Sequence, residues 1–237
     1  MPGHISTNLD DVRGRIRSAA ERAGRSPGEV KLVAVSKTHP AGVVRAAIDA
    51  GVAIFGENKV QEAEDKIAEI GRHAAEWHLI GHLQSNKARK AVQMFDVIHS
   101  LDSVELADRL ERICVEEGRA ELPVLVQVDI ASEATKSGIS EPGLPVLVEK
   151  LKRCERLRFI GLMVLPPLLD DPEATRPYFQ RLRKVRDRLT EEGVFGNGRG
   201  ELSMGMSHDF EVAIEEGATM VRVGTAIFGG RGYGART

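Results

Sequence analysis

The first residue in this sequence with the means to do covalent chemistry is a lysine that closes a short apolar run. Leu32-Val33-Ala34-Val35-Ser36-Lys37 is small, apolar and rich in β-branched residues, and Thr38, His39 and Pro40 come directly after it. That pattern predicts a short buried strand with Lys37 at its C-terminal end. In an alternating α/β chain, the loops at that end of the sheet hold ligands. A partly desolvated lysine there presents a neutral amine, which forms a Schiff base with an aldehyde. A rim lysine that merely snorkels to solvent has the same local sequence, so the far end of the chain has to decide.

Two turns near that far end are built for an anion. Ser203-Met204-Gly205-Met206-Ser207-His208-Asp209 lies at the end of one weak strand, and Gly224-Thr225-Ala226-Ile227-Phe228-Gly229 at the end of another that contains Arg222. In barrels the loops after the last two strands commonly hold phosphate, because bare backbone N–H groups and hydroxyls can surround it there. Gly224 lets the backbone come close, Thr225 and Ser207 or Ser203 offer hydroxyls, and Arg222 brings a fixed positive charge. Ser207 is equally suited to cap the next helix. A lysine and a phosphate cradle together describe a site for a phosphorylated aldehyde, for which pyridoxal 5'-phosphate is the obvious molecule. Arg222 has no acceptor, so facing the pyridine nitrogen it would keep that nitrogen unprotonated and the ring a poor electron sink. Its plainer role would be an ion pair with a neighbouring carboxylate.

The elements that must position these residues alternate along the whole chain. Helical spacing predicts helices over 5–25, with Asn8 as its cap, and over 41–50, 60–70, 87–94, 103–117, 141–151, 171–191 and 209–216. Strands are predicted at 32–37, 52–55, 77–80, 97–100, 122–128, 159–165, 201–204 and 220–223, the last running on to Phe228 and Gly229. Eight such units make an α/β fold, a single-domain (β/α)8 TIM barrel over 1–237 with an extra N-terminal helix. Neither a dinucleotide fingerprint nor a Walker loop is present, and the glycine-rich stretch 193–200 comes after a helix and reads as a loop.

The segments AVSKT (34–38), FGENKVQE (55–62), WHLIGHLQSNK (77–87), KSGI (136–139), GLM (161–163), LSMGMS (202–207) and VRVGTAIFG (221–229) occur in this order. In them the sequence resembles the pyridoxal phosphate homeostasis protein family, the YggS/PROSC group. The resemblance implies a barrel like the N-terminal domain of fold-type III alanine racemase. It implies that Lys37 holds the cofactor as a Schiff base and that Arg222 faces the pyridine nitrogen. By the same resemblance Gly224, Thr225 and the serines Ser203 and Ser207 hold the phosphate, and Asn58 lines the mouth. Departures at Asp129 and over Val164–Pro167 touch only the fine lining of that mouth.

The family comparison puts the second acid/base group of a racemase on a C-terminal β-domain, and the segment after the eighth predicted strand is too short to form one. The expectation is therefore a non-enzymatic protein that binds pyridoxal phosphate, buffers it and passes it to apo-enzymes, as a monomer. A small monomeric racemase is the alternative, with His82, His99 or His208 as base. A plain phosphate-ligand barrel with Lys37 in an ion pair is a third reading. Lys136 is a second cofactor lysine or a solvated loop residue. With 33 basic and 35 acidic residues the net charge is -2, which gives no electrostatic case for nucleic acid. The N-terminus lacks an apolar signal core, no stretch is long enough to span a membrane, and Cys114 and Cys154 lack metal-ligand spacing. The chain reads as cytoplasmic.

Overall fold

The computed structural model describes residues 2–131 and 137–230. Its strands are β1 (Lys31–Val35), β2 (Ile54–Glu57), β3 (Glu76–Leu79), β4 (Val97–Leu101), β5 (Leu122–Asp129), β6 (Ile139–Ser140), β7 (Leu157–Met163), β8 (Glu201–Met206) and β9 (Met220–Val223). Eight of them run in the order β4-β3-β2-β1-β9-β8-β7-β5, and β4 pairs with β5 to close the ring. Every pairing is parallel, as connections through helices require, so the fold is a (β/α)8 barrel. The two-residue β6 is extra and lies on the end of β5.

The helices are α1 (Pro2–Arg22), α2 (Ala41–Asp49), α3 (Val60–Ile70), α4 (Ala88–Met94), α5 (Val104–Glu116), α6 (Leu144–Leu151), α7 (Arg176–Glu191), α8 (Phe210–Glu215) and α9 (Thr225–Phe228). Their apolar faces meet the outer faces of the strands. In α5, Leu106, Ala107, Leu110, Ile113 and Cys114 are buried at helical spacing, and the Ser103 hydroxyl caps the Leu106 N–H. Between the two layers Phe55 and Trp77 are wholly buried, with ring centroids 5.5 Å apart. Inside the barrel Val33, Val35, Ile80 and Met220 form a smaller apolar cluster, and Val97, Leu125 and Met163 form another.

Asn8 is not a cap. It lies within α1, and its side-chain amide donates to the Ile227 carbonyl at 3.0 Å. Carbonyls in the last turn of a helix lack intrahelical donors, and here α1 supplies one across the fold. The last strand is also shorter than its apolar run suggests: β9 ends at Val223, and residues 225–228 form a helical turn. Among the described residues no helix is long and apolar enough to cross a membrane, and no His/Cys/Asp/Glu cluster could hold a metal ion.

Candidate functional site

β1 and β9 are neighbours, with Val33 opposite Arg222 and Ala34 opposite Val223. Their C-terminal ends therefore deliver Lys37 and the Gly224–Thr225 turn to the same end of the barrel. Gly224 packs directly on β1, where an added Cβ would sit 3.1 Å from the Val35 carbonyl oxygen. A Cβ there would need the Val35 backbone to give by a few tenths of an ångström.

Lys37 lies in the turn after β1 and is exposed, not partly desolvated as its sequence suggested. The turn around it is tightly held. Thr38 has φ +67, the left-handed region that a β-branched residue rarely adopts, and its N–H donates to the Glu62 carboxylate. Before Lys37, the Ser36 hydroxyl donates to Glu57 at 2.6 Å and the Ser36 carbonyl accepts from Lys66 Nζ at 2.7 Å. Lys66 also reaches Glu57 at 2.7 Å and Glu62 at 2.8 Å. Burial pushes the Glu57 carboxyl above its ordinary range, and Lys66 pulls the other way. This clamp was not foreseen. Its trace in the sequence is a glutamate ending the second strand, with Glu62 and Lys66 one helical turn apart beyond it.

At the other side of the mouth the Ser207 hydroxyl accepts from the Gly224 N–H at 3.1 Å and from the Ala226 N–H at 3.4 Å. Ser207 does not cap α8; Asp209 stands at the cap position and accepts from the Met206 N–H at 2.6 Å. Ser207 instead fixes the turn that carries Gly224 and Thr225, and Thr225 is exposed at the start of α9. The Ile227 and Phe228 N–H groups are taken by the Gly224 carbonyl, so the donors this corner turns outward are the Thr225 hydroxyl and N–H and the Ser207 hydroxyl hydrogen.

Arg222 is 2% exposed. Its Nη1 donates to Ser203 Oγ at 2.7 Å and its Nη2 to the Val164 carbonyl at 2.8 Å, so among the described residues its hydrogen-bond partners are neutral. Burial draws the guanidinium down to about 10, which leaves it charged near neutral pH. Ser203 is wholly buried beside Arg222 and His99, apart from the Ser207 corner. Asn58 sits just past β2 and is partly buried, and Gly81 is pressed onto it: a Cβ on Gly81 would lie 2.2 Å from the Asn58 carbonyl oxygen.

The three histidines part company. His99 is buried in the barrel, His208 bonds through Nε2 to the Asp170 carbonyl at 3.0 Å, and exposed His82 stands 3.5 Å from the Asp102 carboxylate. Lys136 lies outside the described residues. A recess of about 820 Å³ opens at the opposite, N-terminal end of the barrel, lined among others by Lys31, Glu76, Arg199 and Glu201, and it contains none of the residues singled out from the sequence.

Fold and site together define a barrel of the racemase type with its lysine after the first strand. The sequence model of the family "Alanine racemase, N-terminal domain" matches residues 7–232. The chain is 45% identical over 235 residues to the pyridoxal phosphate homeostasis protein of Escherichia coli K12, covering 97% of each chain. It is 43% identical over 225 residues to that of Aquifex aeolicus, covering 95% of this chain and 97% of the other. This chain belongs to the pyridoxal phosphate homeostasis protein family. Among solved structures it superposes with a TM-score of 0.82 on PipY of Synechococcus elongatus with PLP bound, at 40% identity over 95% of this chain and all of that one. Alanine racemase of Corynebacterium glutamicum, at 18% identity and a TM-score of 0.67, shares the fold over 96% of this chain and 64% of its own.

Proposed function

We propose that this chain binds pyridoxal 5'-phosphate reversibly on Lys37, buffers its free concentration and releases it to apo-enzymes without turning over a substrate. The observation that carries the reading is the meeting of three unlike groups at adjoining strand ends of one barrel. These are an exposed amine on the β1 turn, a donor corner after β9 and a buried guanidinium two residues before that corner. The donor set fits the cofactor: an amine for its aldehyde, the Thr225 and Ser207 hydroxyls with the Thr225 N–H for its phosphate, and a donor-only side chain for its ring nitrogen. The PipY structure with PLP bound supports the assignment.

When bound, the cofactor supplies an electrophilic carbonyl carbon for amines. Lys37 is the amine that captures it, on a turn anchored through the Thr38 N–H by Glu62 and through the Ser36 carbonyl by Lys66. Gly224 and Thr225 hold the phosphate, with Ser207 bracing their turn, and Asn58 lines the mouth. Arg222 keeps the ring nitrogen free of a proton, which disfavours carbanion chemistry. The exposure of Lys37 suits exchange with incoming amines. His99 is fixed inside the barrel by two ring contacts, so it is not available as a mobile base.

The test is an absorption spectrum of the purified chain with the cofactor, repeated for Lys37→Ala, with borohydride trapping and amino-acid Cα-proton exchange on the same samples. A bound-cofactor band and trapped adduct that vanish in the variant, with exchange no faster than with free cofactor, are expected. Exchange well above the free cofactor would make the protein a small racemase. Absence of any trapped adduct would leave only a phosphate-binding barrel.

A further inference from the structure

Five polar side chains cross the inside of the barrel in single file. Arg222 Nη1 meets Ser203 Oγ at 2.7 Å, Ser203 meets His99 Nδ1 at 2.9 Å, His99 Nε2 meets His78 Nδ1 at 2.9 Å, and His78 Nε2 meets Glu76 Oε1 at 2.8 Å. Ser203, His99 and His78 are wholly inaccessible. The Glu76 side chain is 47% exposed and lines the recess at the N-terminal end. The file therefore links the mouth of the barrel to solvent at its floor. Barrel interiors are ordinarily filled by branched apolar side chains, and buried polar groups are costly unless each is satisfied. Here each one is.

The hydrogen-bond inventory of these groups gives the file a single direction. The hydrogen bond from His78 holds the Glu76 carboxyl below its ordinary range, so near neutral pH it is ionised and only accepts. His78 Nε2 must then carry a hydrogen, and in neutral His78 the other nitrogen, Nδ1, is a bare acceptor. His99 consequently donates through Nε2 and accepts through Nδ1. The donor into His99 Nδ1 is the Ser203 hydroxyl, and Ser203 Oγ in turn accepts from Arg222. Burial above all holds His99 well below its ordinary value, in keeping with a neutral ring.

We propose that Glu76, His78 and His99 are positioning residues of the cofactor site, acting from the barrel floor to fix the Ser203 hydroxyl and, through it, the Arg222 guanidinium. This rests on the reading of Arg222 as the partner of the ring nitrogen. It also assigns Ser203 to the arginine side: its one hydroxyl hydrogen is committed to His99, which leaves Ser207, Gly224 and Thr225 as the phosphate corner. Nothing at the mouth touches Glu76, so its influence has to travel through the file.

The direction can be read from the ring nitrogens. Nitrogen-15 NMR of histidine-labelled protein without cofactor, at about pH 8 so that imidazoles are neutral, is expected to show His78 and His99 both protonated at Nε2. Glu76→Gln is isosteric at a half-exposed position, and its amide can donate as well as accept, so it releases the direction. In that variant the Nδ1-protonated form is expected to appear in both rings together. Affinity is expected to fall about fivefold, the worth of one neutral hydrogen bond, and equally for pyridoxal phosphate and for pyridoxal, because the phosphate corner is untouched. Borohydride trapping on Lys37 at saturating cofactor should persist. Nδ1-protonated rings in the wild type, unchanged tautomers in Glu76→Gln, or altered tautomers with unaltered affinity would each overturn the proposal. A wild type that traps no cofactor at all would overturn the proposed function beneath it, and the tautomers would separately decide whether the file is directional.

Discussion

Lys66 Nζ donates to the backbone carbonyl of Ser36 at 2.7 Å, so a buried lysine on α3 grips the residue that immediately precedes Lys37. The same ammonium neutralises Glu57, which has no exposed surface and whose second carboxylate oxygen finds no partner. Removing one member of a buried pair strands the other, which typically costs about 3–5 kcal/mol. Lys66→Met is therefore expected to lower stability by that order in urea unfolding. At temperatures where the variant is still folded, it should also lower borohydride-trapped cofactor on Lys37, because the Ser36–Thr38 turn loses its anchor. Trapping equal to wild type in the folded variant would show that the clamp serves stability alone.

Ser207 offers a cleaner separation of roles. Its oxygen takes two backbone N–H groups of the β9–α9 turn, and losing both bonds is worth about 1–3 kcal/mol. Ser207→Ala should therefore weaken pyridoxal phosphate by about fivefold to about a hundredfold while leaving pyridoxal, which lacks the phosphate, nearly unaffected. Titrations with both ligands test this, and an equal loss for the two would move the phosphate away from this corner.

The barrel was legible because its signals are local. The helix at residues 60–70 has the bounds its spacing and Gly71 give, Ser103 caps where its type says it should, and the strand at 220–223 is where its apolar run lies. Asn8 misled because a cap residue and a residue that caps another element look alike in sequence. Residues 225–228 misled because an apolar run cannot reveal that Ser207 takes the Ala226 N–H while the Gly224 carbonyl takes those of Ile227 and Phe228. The same limit hid the Lys66 clamp and the file behind Arg222, since both are assembled by strand order: His78, His99, Ser203 and Arg222 come from four strands, and only closure of the barrel brings them into line. Alternation did carry a hint, because His78 and Ile80 share a face that points into the barrel.

Gly81 should tolerate no side chain. An added Cβ would fall 2.2 Å from the Asn58 carbonyl oxygen and 2.8 Å from its Cα, both backbone atoms that cannot rotate away. Overpacking of this kind costs about 1–3 kcal/mol. Gly81→Ala is expected to unfold at lower urea and, by displacing Asn58, to weaken cofactor capture. Gly14→Ala is the control: it lies inside α1 with nothing within 4 Å of its Cβ, so it should raise stability by about 0.5–1 kcal/mol and leave cofactor capture unchanged.

The buried histidine also sets how stability responds to acid. His99 is held well below its ordinary 6.5, by burial above all. In the unfolded chain it takes up its proton near 6.5 while the folded chain refuses it, so the unfolded state binds more protons below that pH. Stability must fall as the pH drops through this window, by at most about 1.4 kcal/mol per pH unit for one proton. His39 shifts in the same direction, through burial and then Lys66, but it is partly exposed and screened, so its share is smaller. Carboxyls held low, such as Glu76, add to the loss only below about 4.5. Buried carboxyls held high, such as Glu57, oppose this trend, so the test is the difference: urea unfolding between about pH 7 and pH 5 should show wild-type stability falling more, relative to its value at pH 7, than that of His99→Gln, which has no proton to gain. Equal slopes in the two proteins would mean that His99 accepts its proton inside the folded barrel, and that the interior is wetter than its closed packing indicates.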